Sequence, residues 1–173
     1  MNRTDLTRTT VTNAVLAVIL AVLLVWLLVF AIKGSAAAPG STPAEERAQE
    51  YSDIARAASE ETVAFLTVDH KRMDELTDRV ISGATGQFKK QYQSSAKSLK
   101  EAAVSQESIA TGRVDEIGLG EVDRDSASVF VAAGSKVKNK GTKGKVEDRT
   151  WRIKLTMVKD GDRWLTSQLE FVG

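Results

Sequence analysis

The chain has 173 residues, 24 basic and 23 acidic side chains, one histidine, no cysteine and a net charge of +1. So even a balance argues against general nucleic-acid binding, which needs a basic footprint. Without cysteine there is no disulfide, and with a single histidine there is no nitrogen and sulfur ligand set for zinc.

Residues 1–10 form a short polar tail that has nothing to bury and is expected to be unstructured. Residues 11–33 read as a transmembrane helix. Ala14 to Ile32 is a run of nineteen apolar residues without charge, Gly or Pro, fourteen of them Leu, Ile, Val or Phe. At about 1.5 Å rise per residue the run spans roughly 28 Å, close to the hydrocarbon thickness of a bilayer. Ser35-Ala36-Ala37-Ala38 offers small residues for a signal peptidase. The apolar run is longer than a signal h-region of about 7–15 residues, so an uncleaved anchor is the expectation. Arg3 and Arg8 before the span tilt the positive-inside rule towards a cytoplasmic N-terminus, and so towards an extracytoplasmic C-terminal domain at the plasma membrane. Ala17 and Ala21 form a small-xxx-small pair of the kind that allows helix contact, a pattern that an Ala-rich span produces easily by chance. Residues 34–42 are a Gly-, Ser-, Ala- and Pro-rich linker whose stretch from Gly34 to Ser41 reaches at most about 28 Å.

Residues 43–173 read as one α+β domain. Thr42-Pro43-Ala44-Glu45 is a capping box with proline at the first helical position. The helix it opens, about 43–67, carries Tyr51, Ile54, Ala55, Ala58, Thr62, Phe65 and Leu66 on one stripe. Its charged face holds Glu46, Arg47, Glu50, Asp53, Arg56 and Glu60. A second helix, about 69–82, has Met73, Leu76, Thr77, Val80 and Ile81, with Gly83 and Gly86 to end or turn it. A third, about 85–106, has Phe88, Tyr92, Ala96, Leu99 and Ala103.

The period then changes to two. Four strands are expected, at about 109–122, 126–137, 146–159 and 163–172. The inward parity of the first changes between Val114 and Ile117, which predicts a bulge near Asp115 and Glu116. Asp123-Arg124-Asp125 and Asp160-Gly161-Asp162 read as hairpin turns. In the last strand Leu165, Ser167, Leu169 and Phe171 fall on one face. Three helices followed by four hairpin-linked strands predict helices packed on a curved antiparallel sheet, a cone-shaped domain that can hold a pocket.

The candidate sites are few. Lys136, Lys138, Lys140, Lys143 and Lys145 place five lysines and no acid in ten residues. They read either as a contact for an anionic lipid or acidic partner, or as a solvated hairpin tip. His70 lies in the charged stretch Asp69-His70-Lys71-Arg72 and reads as a solvated or capping residue. Asp69, Asp74, Glu75 and Asp78 could supply an acid/base pair; Asp74 and Asp78 fall on the polar side of their helix. Gly118-Leu119-Gly120 lacks the third glycine and following helix of a phosphate loop. Trp151 and Trp164 read as packing residues. No catalytic residue, cofactor or metal is expected.

Three stretches carry a resemblance: Phe65-Leu66-Thr67-Val68-Asp69-His70; Ala84-Thr85-Gly86-Gln87-Phe88 with Tyr92; and Gly161-Asp162-Arg163-Trp164-Leu165-Thr166-Ser167-Gln168-Leu169-Glu170-Phe171-Val172. With the preceding span they resemble actinobacterial Mce-associated membrane proteins. The resemblance implies a fold like nuclear transport factor 2, shared with an inner-membrane scaffold component of type IV secretion. It also implies a non-enzymatic accessory that accompanies an Mce-type lipid-import complex at the cell envelope. The implied partners are Mce transporter subunits or other envelope proteins, with a homo-oligomer left open and no nucleic acid. The alternatives are a small-molecule or lipid-binding cone, enzymatic or not, and a type IV secretion-like scaffold.

Overall fold

The computed structural model describes residues 42–173. The tail, the span at Val11–Lys33 and the linker up to Ser41 lie outside the described residues. Among the described residues, no helix is long and apolar enough to cross a membrane.

The order is α1 (Pro43–Leu66), β1 (Val68–Asp69), α2 (Met73–Gly83), α3 (Gly86–Gln106), β2 (Ile109–Val122), β3 (Ser126–Lys138), β4 (Glu147–Asp160) and β5 (Arg163–Phe171). Both arms of the capping box form at the start of α1. Thr42 N–H donates to Glu45 Oε2 at 2.6 Å, and Glu45 N–H donates to Thr42 Oγ1 at 3.2 Å. The α1 stripe buries Ile54, Ala58, Thr62 and Leu66, whereas Tyr51 at its N-terminal end remains exposed.

The strands form one antiparallel sheet in the order β1-β2-β3-β4-β5. The sheet thus has five strands where the period-two pattern predicts four. The added strand, β1, is two residues long and carries no period. Val68 pairs with Ala110 and Asp69 with Ile109 at the sheet edge. For the same reason the second helix begins at Met73, not Asp69. The Asp69 side chain folds the next residues into a turn, accepting from Lys71 N–H at 3.0 Å and from Arg72 Nε–H at 3.1 Å.

The β2–β3 register slips between Val114 and Glu116, leaving Asp115 as the bulge residue that the parity change predicts. Another bulge lies in β5. Thr156 pairs with Gln168 but Met157 pairs with Thr166, so Ser167 is the extra residue. This overturns the single face drawn through Leu165, Ser167, Leu169 and Phe171. Trp164 and Thr166 occupy the inner face before the bulge, Leu169 and Phe171 after it.

The core lies between α1 and the inner face of the sheet. Ala127, Val129, Val131 and Ala133 from β3 and Ile153, Leu155 and Met157 from β4 meet Ile54, Ala58 and Leu66. A second cluster joins Ala64, Val80, Ala84 and Phe88, tying α2 and α3 to the other side of α1. Gly112 lets α1 approach β2 closely. A Cβ there would lie 2.7 Å from Leu66 Cβ and 3.2 Å from the Val63 carbonyl oxygen. Among the aromatic residues, Phe65 packs on Phe88, Tyr92 and Phe171, and Phe171 on Trp151, with ring centroids 5.4–6.1 Å apart.

Candidate functional site

One side chain breaks the pattern of the core. Glu61 lies seven residues after Ile54 and three after Ala58, so helical spacing puts it on the buried stripe of α1. It is only 4 % exposed, and its Oε1 has no hydrogen-bond partner. The carboxyl occupies space that exists because residue 83 has no side chain: a Cβ on Gly83 would collide with Glu61 Oε2. Burial pushes the Glu61 pKa up to about 8, because a charge without a partner is poorly solvated there. Burial, and then the Glu61 charge, push the Tyr92 phenol up as well.

Glu61 faces a cleft of about 530 Å³ between α1, the last turn of α2 and the β4–β5 turn. Trp164 and Ala64 give it apolar walls, and charged residues form its rim. Arg56 is held by Asp53 at 3.2 Å and Glu60 at 3.4 Å; Arg79 is held by Glu75 at 3.2 Å. Arg163 Nη2 donates to the Ser82 carbonyl at 2.9 Å, which ties the start of β5 to the end of α2. None of the three guanidinium groups forms an ion pair with Glu61. Glu61 stands outside both the apolar stripe and the charged face that the sequence marks on α1. Its spacing from Ile54 and Ala58 was the available signal.

All five lysines are exposed. Lys136 and Lys138 belong to β3. Lys140 docks on the end of α3: its N–H donates to the Gln106 carbonyl at 2.9 Å, and its Nζ to the Ser105 carbonyl at 3.0 Å. Lys140 also pairs with Glu107 at 3.0 Å. These bonds satisfy carbonyls that a helix end leaves open. The turn is stiffened by Thr142, which is buried. Its Oγ1 accepts from Asn139 N–H at 3.1 Å and donates to the Lys145 carbonyl at 2.6 Å. Lys143 and Gly144 take left-handed backbone angles to close the turn. Among the described residues, Lys136, Lys138, Lys143 and Lys145 have no carboxylate within ion-pair distance.

The other candidates are placed as follows. His70 follows β1; its N–H donates to the Ser108 carbonyl at 3.0 Å and its Nδ1 lies 3.3 Å from the same oxygen. Asp74 binds Lys100 Nζ at 2.6 and 2.7 Å across the α2–α3 surface, and Glu75 pairs with Arg72 and Arg79. Asp69 is committed to its turn, so these acids do not converge. Trp151 Nε1–H donates to Ser135 Oγ at 3.0 Å. Among the described residues, no group of three or more His, Asp or Glu side chains could hold a metal ion.

The family model described as "Uncharacterized protein Rv1363c/MT1408-like" matches residues 13–173. The chain belongs to this family. It is 30% identical over 129 residues to the "Uncharacterized protein Rv1363c" of Mycobacterium tuberculosis, covering 75% of this chain and 49% of that protein. It thus spans about half the length of this curated relative. Neither description names an Mce complex. Among solved structures, the fold is similar to an IcmL-like type IV secretion system protein of Legionella pneumophila, with TM-score 0.57, 15% identity and coverage of 73% of this chain and 91% of that one. It is also similar to the VirB8 protein of Agrobacterium tumefaciens, with TM-score 0.53, 12% identity and coverage of 78% and 96%. CagV of Helicobacter pylori, a VirB8 homologue, gives TM-score 0.56 at 8% identity, over 70% of this chain and 97% of that one. At such identities the likeness shows the fold: α+β, nuclear transport factor 2-like, with three helices and a five-stranded antiparallel sheet.

Proposed function

We propose that this protein is a membrane-anchored, non-enzymatic accessory or scaffold of the cell envelope, whose α+β domain serves to assemble or stabilise a larger complex. The observation that carries the reading is the order of parts. Nineteen apolar residues, then the Gly34–Ser41 linker with a reach of about 28 Å, then the domain, would keep that domain beside the bilayer. The N-terminus is then cytoplasmic and the domain extracytoplasmic. The fold shared with proteins described as type IV secretion components supports an assembly role. The finer reading rests on the resemblance: the complex is an Mce-type lipid importer, with its transporter subunits as the partners.

The lysines suit such a contact. Glu50 of α1 meets Lys159 at 3.4 Å at the end of the sheet that carries the β2–β3 and β4–β5 turns. Lys136, Lys138, Lys143 and Lys145 lie at the opposite end.

Affinity purification of the full chain after crosslinking tests the reading. Envelope transporter subunits should co-purify with it. They should be lost when residues 43–173 are exchanged for an unrelated domain behind the same anchor. Equal recovery with the exchanged domain would refute the assembly role. A second reading, a small-molecule binding domain, is favoured by one observation, the Glu61 cleft.

A further inference from the structure

Glu61 is an expense that the fold does not recover within itself. A buried carboxyl without a hydrogen bond costs several kcal/mol when ionised. An apolar residue on the same stripe would avoid the cost, yet Gly83 leaves room for the acid.

The rim charges cancel: Asp53, Glu60 and Asp162 against Arg56, Arg79 and Arg163. At the base of the cleft is therefore one uncompensated acceptor. A hard inorganic cation would need about six oxygen ligands, which a single carboxylate does not provide. An anion would set like charge beside Glu61 once the carboxyl ionises. A group with a single positive charge, several N–H donors and a short aliphatic stem suits both the acceptor and the apolar walls at Ala64 and Trp164.

We propose that this cleft binds an organic monocation, an alkylammonium or alkylguanidinium group, with the Glu61 carboxylate as its counter-ion. The same head group occurs on free amines and on the lysine or arginine side chains of a partner protein. The binding chemistry is shared between the two sources, and it is independent of which complex the protein joins.

The facing groups define what binding does to protons. Asp53, Arg56 and Glu60 come from α1, Arg79 from α2, Asp162 from the β4–β5 turn, Arg163 from the start of β5, and Tyr92 from α3. None pairs with Glu61, which at pH 7 is mostly protonated. A cation that ionises it must expel close to one proton.

The test is calorimetry at pH 7 on the full chain in detergent, in two buffers of different ionisation enthalpy. The probes are butylammonium, butylguanidinium and a capped lysine tripeptide. Binding of the small cations alone assigns the site to free amines. Binding of the tripeptide assigns it to a basic side chain of a partner. Either should release close to one proton. Glu61→Gln keeps the shape, and should weaken binding at least tenfold and abolish proton release. Gly83→Ala in the otherwise unchanged chain, whose Cβ would collide with Glu61 Oε2, should displace the carboxylate and weaken binding. Absence of binding by the unaltered chain at 10 mM probe (about 10 mM being weaker than any functional millimolar site) overturns the proposal. Unchanged affinity in folded Glu61→Gln does so too.

Discussion

Glu61 gives the domain an unusual dependence on pH. Its ordinary pKa is 4.5 and burial raises it to about 8 in the folded state. Between those values the unfolded chain is ionised and the folded chain is not, so folding takes up a proton. Stability then falls as pH rises from 4.5 to 8, by on the order of 1.4 kcal/mol per unit. Glu45, Asp69 and Glu107 act in the opposite direction. Hydrogen bonds lower their pKa values, so their contribution is lost only as pH falls below the usual carboxylate range. Urea unfolding at pH 5, 6, 7 and 8 should therefore show declining stability, and Glu61→Gln should flatten the slope. A parallel slope in the variant would place the titrating group elsewhere. Gly83 offers a second check. Gly83→Ala should destabilise the unaltered protein by about 1–3 kcal/mol through its collision with Glu61. In a Glu61→Ala background the same change should be neutral or stabilising, up to about 1 kcal/mol, because alanine is the better helix former. Helical spacing alone places Glu61 on the buried stripe. That Gly83 makes room for it depends on how α2 crosses α1, which no local pattern encodes.

At the scale of elements, the long pieces were legible and the short ones were not. Periods of 3.6 and 2 sustained over nine or more residues marked α1, α2, α3 and β2 to β5. The two-residue β1 has no period, and its pairing with Ala110 and Ile109 is a contact distant in sequence. The bulge at Asp115 could be read because Val114 and Ile117 break alternation. The bulge at Ser167 could not, because Leu165 and Thr166 both tolerate burial and mask the change of face. The lysine turn is legible in its composition but not in what anchors it. Lysine and glycine composition marks an exposed turn, while the bonds of Thr142 and the contact of Lys140 with the end of α3 depend on tertiary placement. Thr142→Val keeps the shape but removes the hydroxyl's bonds to Asn139 and Lys145, and should cost about 1–3 kcal/mol. Amide exchange at Asn139, which loses its acceptor, should quicken more than exchange in β4. Uniform quickening across the sheet would mean that the turn is not a local unit.

For the whole molecule, the fold and the family are established by the described domain and by the match over residues 13–173. The role in the envelope is the proposal that ties them to the apolar run. If the lysine end meets an acidic partner, reversing Lys136, Lys138, Lys143 and Lys145 to Glu should weaken crosslinked recovery of that partner. The thermal midpoint should change little, since these four side chains hold no ion pair among the described residues. Recovery by the unaltered chain should also fall with added salt, as exposed charge contacts are screened over about 8–10 Å. The most direct measurement of the central claim is made on the complex itself. The lipid-import complex proposed as its partner is purified from cells with and without this protein, and its subunit composition and thermal stability are compared. An assembly role predicts that subunits are lost or the complex melts earlier without it. A complex identical in composition and stability would contradict the account.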